Sequence, residues 1–389
     1  MMWLTIDVMT TTIAHVSGTF DPQFTPVRDA LAAALDADEE VGAAIAVDVD
    51  GELVVDIWGG HRDPARTQPW DRDTIVNVWS TTKEVTALAV LMCVDRGLID
   101  LDAPVAQYWP EFAAGGKENI LVRHLMSHSS GVPAWEPPFT IEDMYDWTRS
   151  TERLASQQPW WEPGTASGYH ALNFGHLNGE LVRRVTGTSL KEFVATEIAG
   201  PLGADLQIGA AESDIDRIAP VIAPPSLASV LAQVPPDSLM MRTLTSPPLS
   251  AESANTAAWR AADIGGANGH TNARALVQTL SLISRGAVGP LSLSAATIDR
   301  IFDEQTSGPD LVLAVPLRFG IGFALPETAT LPYIPDGRIC FWGGWGGSLT
   351  IMLPEKKTTI SYVMNKMAPG IIGSDRAQAY ISAIFAALD

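Results

Sequence analysis

The chain has 389 residues, of which 46% are hydrophobic and 18% charged, a composition typical of globular proteins with ample material for a core. This length predicts two lobes or one large α/β unit. The formal net charge is −20, and a chain this acidic, without clusters of Lys and Arg, repels phosphate backbones, so we expect no nucleic-acid partner.

The first predicted element is a β-hairpin within residues 41–58, where hydrophobic and polar residues alternate on both sides of the turn Asp50-Gly51. Helical patterns follow in the middle of the chain, at 81–96, 141–157, 174–186 and 272–285. Towards the C-terminus come two short strands, a second hairpin and a last helix, at 318–325, 338–342, 348–364 and 376–388.

This distribution predicts an α/β protein of the α+β type, with an antiparallel sheet built from both termini, flanked by helices, and a mostly helical lobe. We assign residues 15–78 and 265–389 to a discontinuous α/β domain and 79–264 to a mostly helical domain. A parallel doubly wound sheet is excluded because strands and helices do not alternate throughout. Residues 210–253 are rich in Ala, Pro and Ser, and they form either an excursion that lines a pocket or a surface insertion.

Targeting and redox signals point to an intracellular protein. The first twelve residues carry Asp7 and no basic cluster, so they do not resemble a signal peptide. No run of eighteen apolar residues predicts a membrane span. Cys93 and Cys340 each lie in an apolar stretch, and we expect two buried free thiols rather than a disulfide. The prediction is a cytoplasmic protein that does not bind a membrane.

Ser80 and Lys83 are the first candidate catalytic pair, three residues apart at the predicted start of a helix. A serine hydroxyl needs a base to remove its proton, and lysine can serve when burial leaves some of its amine neutral. Backbone N–H groups at a helix N-terminus also suit an oxyanion. The alternative is an N-capping serine beside a solvated lysine. The apolar stretch 85–94 favours the catalytic interpretation, because a lysine at the buried end of a helix is unusual.

Residues 78–133 resemble the serine β-lactamase and penicillin-binding protein superfamily, most closely its esterase branch, the family VIII carboxylesterases. The resemblance rests on four ordered segments, WSTTK at 79–83, GLIDLDAPV at 97–105, YWPEF at 108–112 and RHLMSHSSGVP at 123–133. It extends more loosely through nearly the whole chain. It implies a β-lactamase-like fold, a Ser80 nucleophile activated by Lys83, and no metal or organic cofactor.

The resemblance also implies a tyrosine that opens a Tyr-x-Asn motif, and Tyr169 occupies that place. Tyr169 would share protons with Lys83 as the general base partner, because a phenolate beside an ammonium group is stabilised. Ala171 replaces the asparagine of the motif, which argues against lactam hydrolysis. The alternative for Tyr169 is a packed aromatic ring with a satisfied hydroxyl.

Where β-lactamases have a Lys-Thr-Gly strand, this sequence has Trp342, Gly343 and Gly344, whose glycines allow a close backbone approach to the substrate. The backbone N–H of Trp345 would then join that of Ser80 in the oxyanion hole, although the repeated Trp-Gly-Gly leaves the register open by one repeat. The lysine of the family motif would bind the carboxylate of a penicillin or a D-Ala peptide. Its loss favours an uncharged ester.

Further tryptophans, Trp135, Trp160 and Trp161, are predicted to line an apolar acyl or alcohol pocket. We expect no zinc site at His124 and His128, because Leu125 stands where a metalloprotease motif has glutamate. No Gly-x-Ser-x-Gly motif of α/β-hydrolases occurs. The glycine-rich residues 265–270 are predicted to form a loop near the rim of the site.

Together these residues predict a carboxylesterase that hydrolyses uncharged, short-acyl, small-molecule esters through a Ser80 acyl-enzyme. Within the same fold, a β-lactamase, a D-Ala-D-Ala peptidase and an acyltransferase remain open. A non-catalytic binding protein that has kept the fold is the alternative from another class. The sequence does not specify an oligomeric state.

Overall fold

Nine antiparallel strands form the main sheet of the computed structural model, which describes residues 16–224 and 234–388. Their spatial order is β1-β3-β2-β15-β14-β13-β12-β11-β10. The bounds are β1 Val16–Phe20, β2 Gly42–Val49, β3 Glu52–Gly60, β10 Thr306–Pro309, β11 Pro316–Phe319, β12 Ala324–Leu325, β13 Cys340–Gly343, β14 Leu349–Leu353 and β15 Thr358–Met364. Both predicted hairpins are present, and the antiparallel sheet drawn from both ends of the chain is confirmed.

The seam between the two halves of the sheet is the pairing of β2 with β15. Both strands are almost entirely buried, as expected where helices cover both faces of a sheet. On one face, Tyr362 of β15 contacts Tyr380 of the last helix, with ring centroids 5.0 Å apart. On the other face, Thr359 of β15 accepts a hydrogen bond from Ser281 at 3.0 Å. The sheet is therefore the middle layer of three.

The helices that cover the sheet are α1 Thr25–Asp36, α2 Thr82–Asp95, α11 Ala273–Arg285, α12 Ala295–Ile301 and α13 Asp375–Leu388. The middle of the chain adds α3 Val122–Met126, α4 Ile141–Tyr145, α5 Trp147–Ser156, α6 Phe174–Thr186, α7 Leu190–Phe193, α8 Gly200–Leu202, α9 Leu239–Leu244 and α10 Ala257–Ala261. A π-helical turn at Val194–Ala199 joins α7 to α8.

One predicted helix is divided in the structure. The sequence predicts a continuous helix over 141–157, but Asp146 has an extended backbone and separates α4 from α5. Its carboxylate accepts a hydrogen bond from the backbone N–H of Arg149 at 3.1 Å. A capping aspartate competes with helix continuation in this way, which explains the break.

A second, four-stranded sheet supports the segment before Ser80. Its order is β5-β7-β4-β6, with β4 Ile75–Asn77, β5 Leu206–Ile208, β6 Ile218–Ala219 and β7 Gly269–Thr271. The prediction that 265–270 form a loop is wrong for Gly269 and His270. Both belong to β7, which pairs with β4 and β5. A separate hairpin joins β8 Ala287–Val288 and β9 Leu291–Ser292. Strands of the small sheet come from both predicted domains, and the division at 78/79 and 264/265 stays a prediction.

The Pro-rich excursion, residues 210–253, includes the short helix α9. Its residues 225–233 lie outside the described residues. Cys93 and Cys340 are buried free thiols, as expected. Within 16–224 and 234–388, no helix has the length and hydrophobicity needed to cross a membrane.

Candidate active site

Ser80 lies on a sharp turn between β4 and α2. Trp79 adopts a left-handed backbone with φ of 49°, a conformation that costs a non-glycine residue about 1–2 kcal/mol. Two hydrogen bonds fix the preceding residue: the N–H of Val78 donates to Gly269 O at 2.9 Å, and the hydroxyl of Ser348 donates to Val78 O at 2.8 Å. The nucleophile turn is thus held between β7 and the turn that joins β13 to β14.

Lys83 is buried on α2, and its Nζ has three partners. It is 2.9 Å from Ser80 Oγ, 2.7 Å from Ala171 O and 2.8 Å from Gly266 O. Burial lowers the pKa of Lys83 well below its usual value, which favours the neutral amine. A neutral amine has two N–H donors for the two carbonyls and one lone pair for the Ser80 hydroxyl. The site therefore accommodates Lys83 as a base.

The two carbonyl partners of Lys83 were not predicted from the sequence. Every residue carries a carbonyl, so residue type gives no signal for Ala171 in this role. For Gly266 the sequence signal is weak: a glycine stands where, in the structure, a Cβ would clash with the carbonyl of Leu172. The glycines of this segment were expected only to form a loop near the rim of the site.

Tyr169 is buried beside the pair, and it lines the same cavity as Ser80. The indole Nε1–H of Trp342 donates to the Tyr169 hydroxyl at 3.0 Å. Lys83 Nζ lies 4.8 Å from the centre of the phenol ring. Burial raises the pKa of Tyr169 above its usual value, and the negative charge of Asp310 adds to the effect. These pKa directions favour Lys83 as the proton acceptor and Tyr169 as a proton donor.

Asp310, on the loop between β10 and β11, holds the segment of Tyr169 in place. Its Oδ1 accepts hydrogen bonds from the backbone N–H groups of Tyr169, Val312 and Leu313, at 3.1, 2.9 and 2.8 Å. Its side chain is buried, and its Oδ2 has no hydrogen-bond partner in the described structure. The only sequence signal for this role is an acidic residue within the apolar stretch 310–315.

Trp342 joins β13 to the candidate catalytic residues through both its side chain and its backbone. While its indole contacts Tyr169, its backbone N–H donates to Glu84 Oε1 at 2.8 Å. Burial raises the pKa of Glu84 well above its usual value, which favours the neutral carboxyl group. At the end of the strand, a Cβ on Gly344 would clash with the carbonyl of Val78. The glycine allows β13 to approach the nucleophile turn.

The predicted oxyanion hole combines the backbone N–H groups of Ser80 and Trp345. In the described ranges, neither group donates a hydrogen bond to another part of the chain. Both residues border the same cavity. Two unpaired N–H groups beside the nucleophile are what an oxyanion requires. The role of Trp345 stays a prediction.

The cavity at Ser80 has a volume of about 130 Å³. It is lined by Trp79, Ser80, Tyr169, Ala171, Leu172, Thr243, Leu244, Leu249, Ala267, Trp345 and Ile371. None of these side chains is charged. Three of them belong to the Pro-rich excursion, so of the two interpretations of 210–253 the structure supports the one in which the excursion lines a pocket.

The other tryptophans of the predicted pocket lie elsewhere, which corrects that prediction. Trp135 is fully buried and stacks on Phe139. Trp160 lies under the guanidinium group of Arg242, 3.9 Å from its Cζ, and Trp161 donates its indole N–H to a backbone carbonyl. The cavity is lined instead by tryptophans that adjoin the nucleophile and follow β13. Sequence grouping did not separate Trp345 from the other three tryptophans, because all of them lie in glycine- or proline-rich segments.

Three residues of the predicted Trp-Gly-Gly substrate strand also lie behind the cavity wall. Trp342 contacts Tyr169 and Gly344 packs against the nucleophile turn, but neither these two residues nor Gly343 lines the cavity. Of the two histidines discussed above, His128 packs 5.0 Å from the Tyr169 ring. In the part of the chain that the structure describes, no cluster of His, Cys, Asp and Glu could hold a metal ion.

Comparison with known proteins places the chain. A Beta-lactamase family profile matches residues 27–383. The chain belongs to the beta-lactamase family. Esterase/beta-lactamase LipL of Mycobacterium tuberculosis is 34% identical over 376 residues, which cover 93% of this chain and 86% of the relative.

Solved structures show the same relationship. A crystal structure of a family VIII carboxylesterase matches with a TM-score of 0.88 and 38% identity, over 96% of this chain and 99% of that one. A penicillin-binding protein homologue from Caulobacter crescentus matches with a TM-score of 0.86 and 33% identity, over the same shares. The β-lactamase-like fold and the resemblance to the family VIII branch are confirmed.

Proposed function

We propose that this member of the beta-lactamase family is a serine carboxylesterase that hydrolyses uncharged esters with short acyl groups. One observation carries the proposal: Lys83 Nζ lies 2.9 Å from Ser80 Oγ in a buried setting that favours the neutral amine. Ser80 borders an apolar cavity whose lining contains no charged side chain. The esterase names of LipL and of the solved family VIII enzyme support the class of carboxylic ester hydrolase.

In the acylation step, Ser80 Oγ attacks the ester carbonyl while its proton passes to Lys83 Nζ. The negative charge that develops on the carbonyl oxygen is stabilised by the N–H groups of Ser80 and Trp345. When the intermediate collapses, the alcohol leaves with the phenolic proton of Tyr169. The resulting phenolate is stabilised by the Lys83 ammonium group and by the Trp342 N–H, and Lys83 returns the proton.

In the deacylation step, water attacks the Ser80 ester with the neutral Lys83 amine as its base. Ser80 then leaves as the alcohol and regains its proton from the protonated base. The two backbone carbonyls that hold Lys83 keep its amine directed at the reacting atoms through both steps. No step requires a metal or an organic cofactor.

The chemistry of the cavity favours neutral esters over penicillins and D-Ala peptides. Those substrates carry a carboxylate, and binding it in an apolar site without a cation is costly. The lining of the cavity at Ser80 contains neither lysine nor arginine. The predicted cytoplasmic location and the absence of nucleic-acid and membrane partners stay predictions.

Turnover of p-nitrophenyl acetate and nitrocefin by the same preparation tests the proposal. We expect ester hydrolysis, little lactam hydrolysis, and covalent labelling by a fluorophosphonate probe that Ser80→Ala abolishes. Ser156→Ala, which changes a serine exposed on α5, is the matched control and should label like the wild type. Strong nitrocefin turnover without ester turnover would support the β-lactamase alternative, and an unlabelled wild-type chain would support the non-catalytic one.

A further inference from the structure

Residues 369–373 lie in the connection between β15 and α13. They are beside the cavity at Ser80, here called the catalytic cavity. Gly370 and Gly373 adopt left-handed conformations, with φ of 97° and 64°. Ala368, just before them, donates a backbone hydrogen bond at 2.8 Å to the turn after β13. Across the described ranges no backbone hydrogen bond involves 369–373 itself. Packing of side chains therefore holds Ile371 in place, and its position can adjust at low cost.

Ile371 borders two cavities. It lines the catalytic cavity, and it also lines a smaller one of about 20 Å³, here called the inner cavity. Ile371 is the one residue that the two linings share. Phe341, Trp342 and Leu349 form the wall of the inner cavity on the side of the main sheet. The side chain of Ile371 thus separates the space at Ser80 from the space behind Trp342.

The inner cavity also adjoins a wider groove of about 560 Å³. The two linings share Leu331, Tyr333, Ile372 and Gly373. No charged residue lines the inner cavity, whereas the groove is bordered by charged residues such as Lys366 and Arg376. The three spaces therefore adjoin one another, and the two nearer the nucleophile have no charged residue in their linings. Such linings suit a linear alkyl chain, whose burial away from water is favourable.

We propose that Ile371 sets the limit on acyl chain length, and that the inner cavity is the subsite a longer linear acyl chain enters when this side chain is removed. The proposal rests on the proposed esterase function. An apolar cavity of about 150 Å³ holds a benzene molecule, so the catalytic cavity accommodates about six carbons. The acyl part is chosen over the alcohol because it stays bound in the acyl-enzyme, while the alcohol must leave.

The test compares Ile371→Ala with Ile372→Ala on p-nitrophenyl acetate, butyrate, hexanoate, octanoate and decanoate. Ile372 is the matched control, since it lines the inner cavity and the groove but not the catalytic cavity. The measured quantity is the ratio of kcat/KM for decanoate to that for acetate. Because both values come from one preparation, the fraction of folded enzyme cancels.

We expect the wild type to favour chains of up to about six carbons. Ile371→Ala should raise the decanoate-to-acetate ratio about tenfold, the effect of burying roughly two more methylene groups. Ile372→Ala should leave the ratio unchanged. Ile371→Trp should lower the ratio of hexanoate to acetate.

Three outcomes overturn the proposal. An unchanged ratio in Ile371→Ala, or an equal shift in Ile372→Ala, means that Ile371 does not set chain length. A shift seen with a series of alkyl acetates, but not with the acyl series, means that the alcohol occupies the path. Absence of all ester hydrolysis in the wild type overturns the proposed function itself, which distinguishes that failure from the other three.

Discussion

Lys83 and Glu84 are adjacent buried ionisable residues on α2, and neither has an ion-pair partner among the described residues. Burial drives both towards their neutral forms, since it lowers the pKa of the lysine and raises that of the glutamate. Lys83 contacts Ser80, while Glu84 accepts a hydrogen bond from Trp342 on β13. An ionised Glu84 would stabilise the ammonium form of Lys83 and weaken it as a base. The neutral carboxyl group avoids this.

The role of Lys83 is tested by Lys83→Arg. A guanidinium group stays protonated at all accessible pH values, so it cannot accept the Ser80 proton. Because general bases contribute about 10²–10⁴-fold to rate, we expect kcat/KM for p-nitrophenyl acetate to fall by about that factor. In the wild type, kcat/KM should fall as pH decreases and Lys83 becomes protonated. Lys191→Arg, at a partly exposed lysine, is the control. Wild-type rates in Lys83→Arg would contradict the assignment.

The role of Glu84 is tested by a pair of substitutions. Glu84→Gln keeps a neutral acceptor for the Trp342 N–H, so stability and kcat should stay close to those of the wild type. Glu84→Ala leaves that buried N–H unpaired, which costs about 1–3 kcal/mol of unfolding free energy, and it releases the indole that contacts Tyr169. Urea unfolding and kcat measure the two effects. A Glu84→Gln variant as impaired as Glu84→Ala would show that the carboxyl group has another role.

At the scale of elements, the short helix α9 forms part of the wall of the catalytic cavity through Thr243 and Leu244. Arg242 attaches this helix to the helical part of the protein. It pairs with Glu136 at 3.0 Å and stacks over Trp160, with 3.9 Å from Cζ to the ring centre. Such a cation–π contact contributes about 0.5–1 kcal/mol at a partly exposed site.

Arg242→Ala should therefore loosen the wall formed by α9 without changing the reacting groups. We expect KM for p-nitrophenyl butyrate to rise several-fold while kcat stays near the wild-type value. Arg149→Ala removes a comparable ion pair with Asp143, formed by a largely exposed arginine, and is the control. A fall in kcat at unchanged KM would show that α9 positions the catalytic residues as well.

The sequence predicted the elements with strong periodicity, such as α6 and both hairpins, because local hydrophobic patterns determine them. It also predicted Ser80, Lys83 and Tyr169 as catalytic residues, and the structure brings their side chains together. Their catalytic roles stay predictions. It did not predict the carbonyl of Gly266 or the contact of Ile371 with the cavity. Those contributions depend on tertiary contacts between segments far apart in the chain.

At the scale of the whole molecule, a buried cluster around Glu40 fastens α13 to the sheet. Arg376 pairs with Glu40 at 2.6 Å, and the hydroxyls of Tyr362 and Tyr380 donate to the same carboxyl group. Burial outweighs these favourable contacts and raises the pKa of Glu40 to about 7. The folded protein therefore binds a proton more tightly than the unfolded chain at this position.

This raised pKa predicts a pH-dependent stability. Between about pH 4.5 and 7 the folded state holds more protons, so the contribution of Glu40 to stability decreases as pH rises through that window, by up to about 3 kcal/mol. Urea unfolding at pH 5 and 8 measures it. Glu40→Gln should lose this part of the pH dependence, while Glu39→Gln, at an exposed neighbour, should keep it. Identical pH dependence in the wild type and Glu40→Gln would contradict the prediction.

The pairing of β2 with β15 has a consequence for synthesis on the ribosome. The N–H of Gly42 hydrogen-bonds to Asn365, 323 positions later, so β2 can pair with β15 only after the long intervening segment has been made. Until then, β2 presents an unpaired hydrophobic edge, and α2 with its nucleophile turn lacks the strand β13 that supports it. Such long-range pairing slows folding and prolongs exposure to aggregation. Nascent chains of this protein should therefore depend on chaperones, and prematurely terminated ones should be cleared rather than fold.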